Sequence, residues 1–138
     1  MNKHNKLPAS GTIFRRYEGD KIIIRWISDG GHDDKVQIIS TEEEIVDDTK
    51  AWLAFFGDSI DENTINNSIC YMRVNSNSPS SILCLPPGDG ASVKPNYSGD
   101  SDALDAYWNC LQLCPSAEDN LSRYVLCVSS CIPKSVTN

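Results

Sequence analysis

In the first forty residues, apolar side chains occur in short β-branched and aromatic runs, which are typical of β-strands. Such runs occupy 12–17 and 21–27, and the turn-forming sequence Glu18-Gly19-Asp20 separates them. A second turn signal, at 29–33, precedes a third short run at 36–39. The pattern predicts a three-stranded antiparallel meander at the start of the chain.

From residue 41 the pattern takes the period of a helix. Ile45 and Trp52 recur on one helical face. Thr41 and Glu44 have the spacing of a capping box, in which the threonine side chain accepts a hydrogen bond from the Glu44 amide. We predict a helix over 41–56 whose apolar face covers the meander.

Two further strand-like runs follow, at 68–74 and 81–85, with a polar stretch at 75–80 between them. Cys70 and Cys84 lie at equal distances from the centre of that stretch. If the runs pair as a hairpin, the two cysteines face each other and can form a disulfide.

The last third of the chain contains the pattern C-x3-C, twelve residues, then C-x3-C. Positions i and i+4 share a helical face, so each pair places two sulfur atoms on one stripe. The four positions are symmetric about their midpoint, and an antiparallel helical hairpin would pair Cys110 with Cys131 and Cys114 with Cys127. Pro115 complicates this pairing, because it should end the first helix at Cys114, and six cysteines allow 15 connectivities.

This local pattern resembles the twin C-x3-C helical hairpins of the small mitochondrial translocase chaperones and of the plant α-hairpinin peptides. The resemblance covers residues 104–132, about a fifth of the chain. It implies a disulfide-linked helical hairpin and carries over no function, since a β-rich segment precedes the pattern here. A four-thiolate zinc site is the alternative, but structural zinc favours C-x2-C and C-x4-C spacings. We therefore expect disulfides, and no metal or cofactor.

These elements predict one α+β domain with an antiparallel sheet of about five strands, one covering helix and a C-terminal disulfide-linked hairpin. We expect a flexible arm over 1–10 and a single domain over 11–138. Within the domain, 11–86 should form the sheet and helix, 87–100 a linker, and 101–132 the hairpin.

The acidic charge of the chain argues against two classes of partner. The net charge is −7, and residues 41–65 contain eight acidic side chains and one lysine. Nucleic acid and anionic membranes both need a basic patch, so we expect neither as a partner. A basic protein could bind the acidic segment, although solubility alone also explains it. The candidate partner-binding residues are Glu42, Glu43, Asp47, Asp48, Asp58 and Asp61.

No catalytic set is recognisable. The only imidazoles are His4 and His32, and no nucleophile or phosphate-loop motif occurs. No apolar run reaches the roughly 18–20 residues that span a membrane. We therefore expect a non-enzymatic protein without a membrane span.

The six cysteines indicate an oxidising compartment, because disulfides are rare in the cytosol. The basic N-terminus lacks the apolar stretch of a secretory signal, so we expect a mature chain from which the signal was removed. The leading hypothesis is a secreted protein-binding factor of effector, toxin-like or inhibitor type. The alternatives are a cytosolic acidic inhibitor of immunity type with reduced thiols, and a structural subunit of a larger assembly.

Thiol alkylation and intact mass distinguish the first two hypotheses. If the protein is oxidised in its native compartment, all six cysteines should be bridged, and its mass should be six hydrogens below that of the reduced chain. No label should then enter before reduction. Six labelled thiols would instead indicate the cytosolic inhibitor.

Overall fold

The computed structural model describes residues 10–31, 34–56, 60–85, 91–93, 101–117 and 119–131. The predicted arm, apart from Ser10, lies outside these residues, as does most of the predicted linker. The described part of the chain is an α+β fold with an antiparallel sheet and a C-terminal helical hairpin, as the sequence predicts.

The strands of the sheet are β1 (Gly11–Glu18), β2 (Lys21–Ser28), β3 (Asp34–Ile39), β4 (Ile69–Asn75), β5 (Ser78–Leu85) and β6 (Ala91–Val93). Their order in the sheet is β3-β2-β1-β4-β5-β6, and every neighbouring pair is antiparallel. The sixth strand lies inside the segment predicted as a linker. Three residues are too few to show an alternating pattern, so only pairing with β5 reveals this strand.

The β4–β5 hairpin is tighter than its sequence suggests. The structure replaces the predicted loop over 75–80 with a two-residue turn, in which Ser76 and Asn77 both adopt positive φ, at 49° and 67°. The register shifts at Arg73/Val74, and Pro79 then pairs with Val74 inside the strand. Proline usually argues against a strand, but it is tolerated beside such a bulge.

Four helices complete the fold: α1 (Glu42–Phe56), α2 (Glu62–Asn66), α3 (Ser101–Gln112) and α4 (Leu121–Ser130). The capping box of α1 is confirmed. Thr41 Oγ1 accepts a hydrogen bond from the Glu44 amide at 3.3 Å and donates one to Glu44 Oε1 at 2.8 Å. The short helix α2 lies between the predicted helix and the strand-like run at 68–74.

One face of the sheet and the helices enclose a single buried cluster. The inward side chains of the central strands include Ile13, Ile24 and Met72, each fully buried. Trp26 and Trp52 join the same cluster from β2 and α1. A Cβ at Gly11 would collide with the Ile27 carbonyl oxygen of the neighbouring strand and would lie 2.7 Å from the ring of Trp26, so only glycine fits there.

A buried arginine connects the sheet to the first two helices. Arg15, on β1, donates from Nε to Asp48 Oδ2 at 2.8 Å and from Nη2 to both Thr49 Oγ1 and Asn66 Oδ1. The side chains of Arg15 and Asp48 are both inaccessible to solvent. Burial raises the pKa of Asp48, and the guanidinium of Arg15 opposes that rise. The prediction that Asp48 contacts a partner is therefore wrong, because its carboxylate faces the interior.

We expect Arg15→Met to destabilise the fold by about 3–5 kcal/mol, since it leaves a buried carboxylate without its cation. The pKa of Asp48, which burial already raises in the parent, should rise further in the folded variant because the opposing cation is lost. Stability should fall as pH rises above about 4, because the folded variant binds the proton more tightly than the unfolded chain. Urea unfolding at about pH 4.5 and 7.5 measures both effects.

The matched control is Arg16→Met, one residue along the same strand and half exposed in its ion pair with Glu18. We expect it to cost less than about 1 kcal/mol. Equal losses in the two variants would contradict a special role for the buried pair.

Candidate functional site

Two disulfides close the helical hairpin in the nested arrangement that the sequence predicts. Cys110 is bonded to Cys131 and Cys114 to Cys127, with Cα–Cα distances of 5.7 and 5.6 Å. Helix α3 ends at Gln112, so Cys114 lies in the connection rather than on the helix. This early end resolves the problem posed by Pro115, because the connection itself brings Cys114 to the second turn of α4.

The third disulfide, Cys70–Cys84, joins two directly paired residues of β4 and β5, with a Cα–Cα distance of 4.0 Å. Both sulfur atoms are buried in the core. All three predicted bridges are thus present, and none of the six cysteines is free.

The sulfur atoms of the hairpin form a compact group. Those of Cys114, Cys127 and Cys131 lie within 4.8 Å of one another, and Cys114 Sγ is 4.0 Å from Cys131 Sγ. Zinc binding requires thiolates, and here each of these sulfur atoms belongs to a disulfide. The bridged hairpin therefore acts as a covalent brace.

Helix α4 is attached to the sheet at two places. The Tyr124 hydroxyl donates to the Asn77 carbonyl in the β4–β5 turn at 2.6 Å. At the start of the helix, the Ser122 amide donates to Gln37 Oε1 on β3 at 3.0 Å. Because α4 also packs on α1, these contacts and the disulfides together fix the position of its outer surface.

A groove of about 530 Å³, which we call the hairpin groove, runs between α1 and α4. Two acidic side chains from α1 line one wall, and Cys127 and Leu126 belong to the other. The residues that define it are Gln37, Glu44, Asp47, Arg123, Leu126 and Cys127. Glu44 and Asp47 are exposed, so the groove offers two carboxylates beside an apolar wall.

Of the six candidate partner-binding residues, Asp47 lines the hairpin groove, and the others lie in different environments. Glu42 lines a second groove, of about 500 Å³, with Glu62 and Lys50 on the other side of α1. Glu43 is exposed but lines neither groove. Asp58 lies outside the described residues.

Asp61 has a local structural role as the N-cap of α2. Its carboxylate accepts hydrogen bonds from the Thr64 hydroxyl at 2.7 Å and from the Thr64 amide at 2.8 Å. These bonds, the side-chain bond first, lower the pKa of Asp61. Among the described candidates, the hairpin groove therefore contains Asp47 alone, beside Glu44, which the sequence pattern did not single out for binding.

Sequence reasoning missed Gln37 and Arg123 as neighbours of these carboxylates. Gln37 belongs to a strand predicted only by its apolar run, and Arg123 follows Asn120, which caps α4 by accepting from the Arg123 amide at 3.1 Å. Eighty-five residues separate Gln37 from its partner Ser122. No local signal connects positions so far apart, because packing alone brings β3 to α4.

No protein-family model matches this chain, and no match was found among curated proteins or solved structures. Within the described residues, no helix is long and apolar enough to cross a membrane.

We expect the two disulfides to differ both in how much they stabilise the fold and in what they position. Replacing Cys114 and Cys127 by serine opens a link with a sequence separation of 13, and replacing Cys70 and Cys84 opens one of 14. The chain-entropy model gives about 3 kcal/mol for the Cys70–Cys84 bridge, and less for Cys114–Cys127 because the Cys110–Cys131 bridge already closes the loop around it. A loss of about 3 kcal/mol corresponds to a decrease in Tm of roughly 10 °C.

Hydrogen exchange distinguishes the two variants. Loss of the Cys114–Cys127 bridge should accelerate exchange of the α4 amides, since one wall of the hairpin groove is released. Loss of the Cys70–Cys84 bridge should leave α4 protected. Equal protection of α4 in both variants would show that the hairpin bridge does not hold the groove.

Proposed function

We propose that this protein is a secreted, disulfide-stabilised, non-enzymatic factor that acts by binding another protein, in the manner of an effector, a toxin-like factor or an inhibitor. Its binding site is the hairpin groove, and its partner contributes a basic segment. The observation that supports this proposal is the pair of exposed carboxylates, Glu44 and Asp47, beside a wall that a disulfide holds in place.

The groove has the chemistry of a site for lysine or arginine next to an apolar side chain. Carboxylates form their strongest hydrogen bonds with cationic donors. Leu126, half buried in the opposite wall, offers an apolar contact to the stem or neighbour of such a residue. Among the described residues of the lining, Arg123 carries the one basic side chain, and it limits how many cations the groove accepts.

A fixed groove favours binding because little conformational entropy is lost when the partner docks. The bridges, the Tyr124 contact and the capped start of α4 all restrict this wall before any partner arrives. The net charge of −7 adds a long-range attraction for a basic protein.

Three disulfides are compatible with an oxidising compartment, and this supports the extracellular location. The cytosolic inhibitor of immunity type would use the same acidic groove with reduced thiols. Reduction would release the wall that α4 forms, so the bridges favour the extracellular factor over the cytosolic one.

Peptide selection tests the groove while its natural partner is still unidentified. With oxidised protein as bait, a randomised displayed peptide library should yield sequences rich in lysine or arginine beside apolar residues. The double variant Glu44→Gln/Asp47→Asn should weaken binding of the selected peptides about tenfold or more, through loss of charge-assisted hydrogen bonds.

The control variant, Glu43→Gln/Asp105→Asn, removes the same charge at two exposed positions outside the groove. It should reduce binding much less, and mainly at low salt. Selected peptides without basic residues, or equal weakening by both variants, would refute the proposed site.

A further inference from the structure

The face of the sheet that points away from the helices is rich in apolar side chains. We call it the open face, meaning the outward side chains of β1 to β5. Seven large apolar residues are exposed among those the structure describes, and four of them belong to this face. These four are Val36 at 59%, Ile38 at 58%, Leu85 at 44% and Ile69 at 38% exposure.

Strand pairing arranges the open face in three rows that cross β3, β2, β1, β4 and β5 in that order. The first row contains Ile38, Ile23, Arg16, Ile69 and Leu85. The second contains Val36, Arg25, Phe14, Tyr71 and Leu83. The third contains Asp34, Ile27, Thr12, Arg73 and Ser81. Nine of the fifteen side chains are apolar, far more than a solvated sheet face needs.

The charges of the open face nearly cancel, because the strands place four basic side chains on it, Arg16, Lys21, Arg25 and Arg73, and the three arginines are each paired with an acid. Arg16 is paired with Glu18, Arg25 with Asp34 at 2.7 Å, and Arg73 with Asp29 at 2.5 Å. The arginines lower the pKa values of Asp34 and Asp29 through these hydrogen bonds, so the carboxylates stay ionised. The net charge of −7 is therefore carried elsewhere on the molecule.

We infer that the open face is the contact surface of a homodimer, in which two copies of this chain pack sheet on sheet. A second copy is the occupant that this charge pattern fits, because each arginine already lies beside an acid and two nearly neutral faces repel each other only weakly. Other surfaces of so acidic a chain would repel a copy of themselves.

The rows also define the symmetry of the dimer. β1 is the middle one of the five strands. A two-fold axis that runs parallel to β1, midway between the two sheets, therefore places β2 over β4 of the second copy and β3 over its β5. Ile38 then meets Leu85 of the second copy. Val36 similarly meets Leu83, and Arg25 lies over the ring of Tyr71. Arg16 meets its own copy at the axis, where the Glu18 beside each arginine offsets the repulsion. Aligned sheets packed in this way are separated by roughly 10 Å, with the helices on the two outer sides.

The available area fits a weak dimer. Five strands spaced by about 4.8 Å and six residues of about 3.4 Å each give a face of roughly 500 Å² per copy. Two such faces bury on the order of 1,000 Å², which is at the low end for a specific interface. We therefore expect a concentration-dependent equilibrium rather than a permanent dimer.

Sedimentation equilibrium on the oxidised full chain tests this inference. The apparent mass should rise from 15.3 kDa toward twice that value as the concentration increases from about 1 μM to several hundred μM. Ile38→Asp should shift the dimer dissociation constant upward at least about tenfold, since a two-fold interface places the change there twice. A constant mass of 15.3 kDa at all concentrations would refute the dimer. The same result is expected if another part of the chain covers the open face.

Leu113→Asp is the matched control, because Leu113 is 85% exposed and follows α3 outside the open face. It should leave the dissociation constant unchanged, and all variants should melt within a few degrees of the parent. The double variant Ile38→Asp/Leu85→Lys tests the symmetry: each change alone weakens the dimer, and together they should restore it through two intermolecular ion pairs. Absence of this rescue would overturn the arrangement along β1.

The dimer and the hairpin groove are independent, because they use opposite sides of the sheet. Glu44→Gln/Asp47→Asn should leave dimerisation unchanged, and Ile38→Asp should leave the intrinsic affinity of a single peptide for the groove unchanged. A fall in both quantities with either variant would count against the dimer on the open face.

Discussion

The buried contact between Arg15 and Asp48 is the constraint on which the arrangement of sheet and helices depends. A guanidinium within a strand core is stable only where acceptors surround it, and α1 and α2 provide them through Asp48, Thr49 and Asn66. This requirement fixes where α1 crosses the sheet. The same contact orients the outer side of α1, so that Glu44 and Asp47 face α4.

The disulfides complete what the buried ion pair begins. A chain of this size buries only a modest core, and its final helices are attached to the sheet by few contacts. The two bridges of the hairpin hold α3 and α4 together, while the Tyr124 hydroxyl and the Ser122 amide connect α4 to the sheet. A groove with one covalently braced wall results from this combination.

The two sides of the sheet have different electrostatic character. The helix side carries the acidic grooves, whereas the open face combines apolar rows with three paired arginines. A homodimer through the open face would expose two acidic grooves on its outer sides. A partner with repeated basic segments would then bind with an effective concentration that a single groove cannot provide.

The sequence by itself determined the first three strands, the first helix and the disulfides, whereas α2 and β6 escaped it. The alternation of apolar residues predicted the meander, and the Thr41/Glu44 spacing predicted the start of α1. The symmetric cysteine spacing predicted all three bridges. Each of these signals can be found in the sequence because it depends on nearby residues. Only the tertiary structure decided that Asp48 is buried and that Glu44 and Asp47 face α4. The tertiary structure also decided which apolar side of β2 the helices cover and which side they leave uncovered. Helical periodicity shows which side chains share a face, but burial depends on which distant element packs against that face.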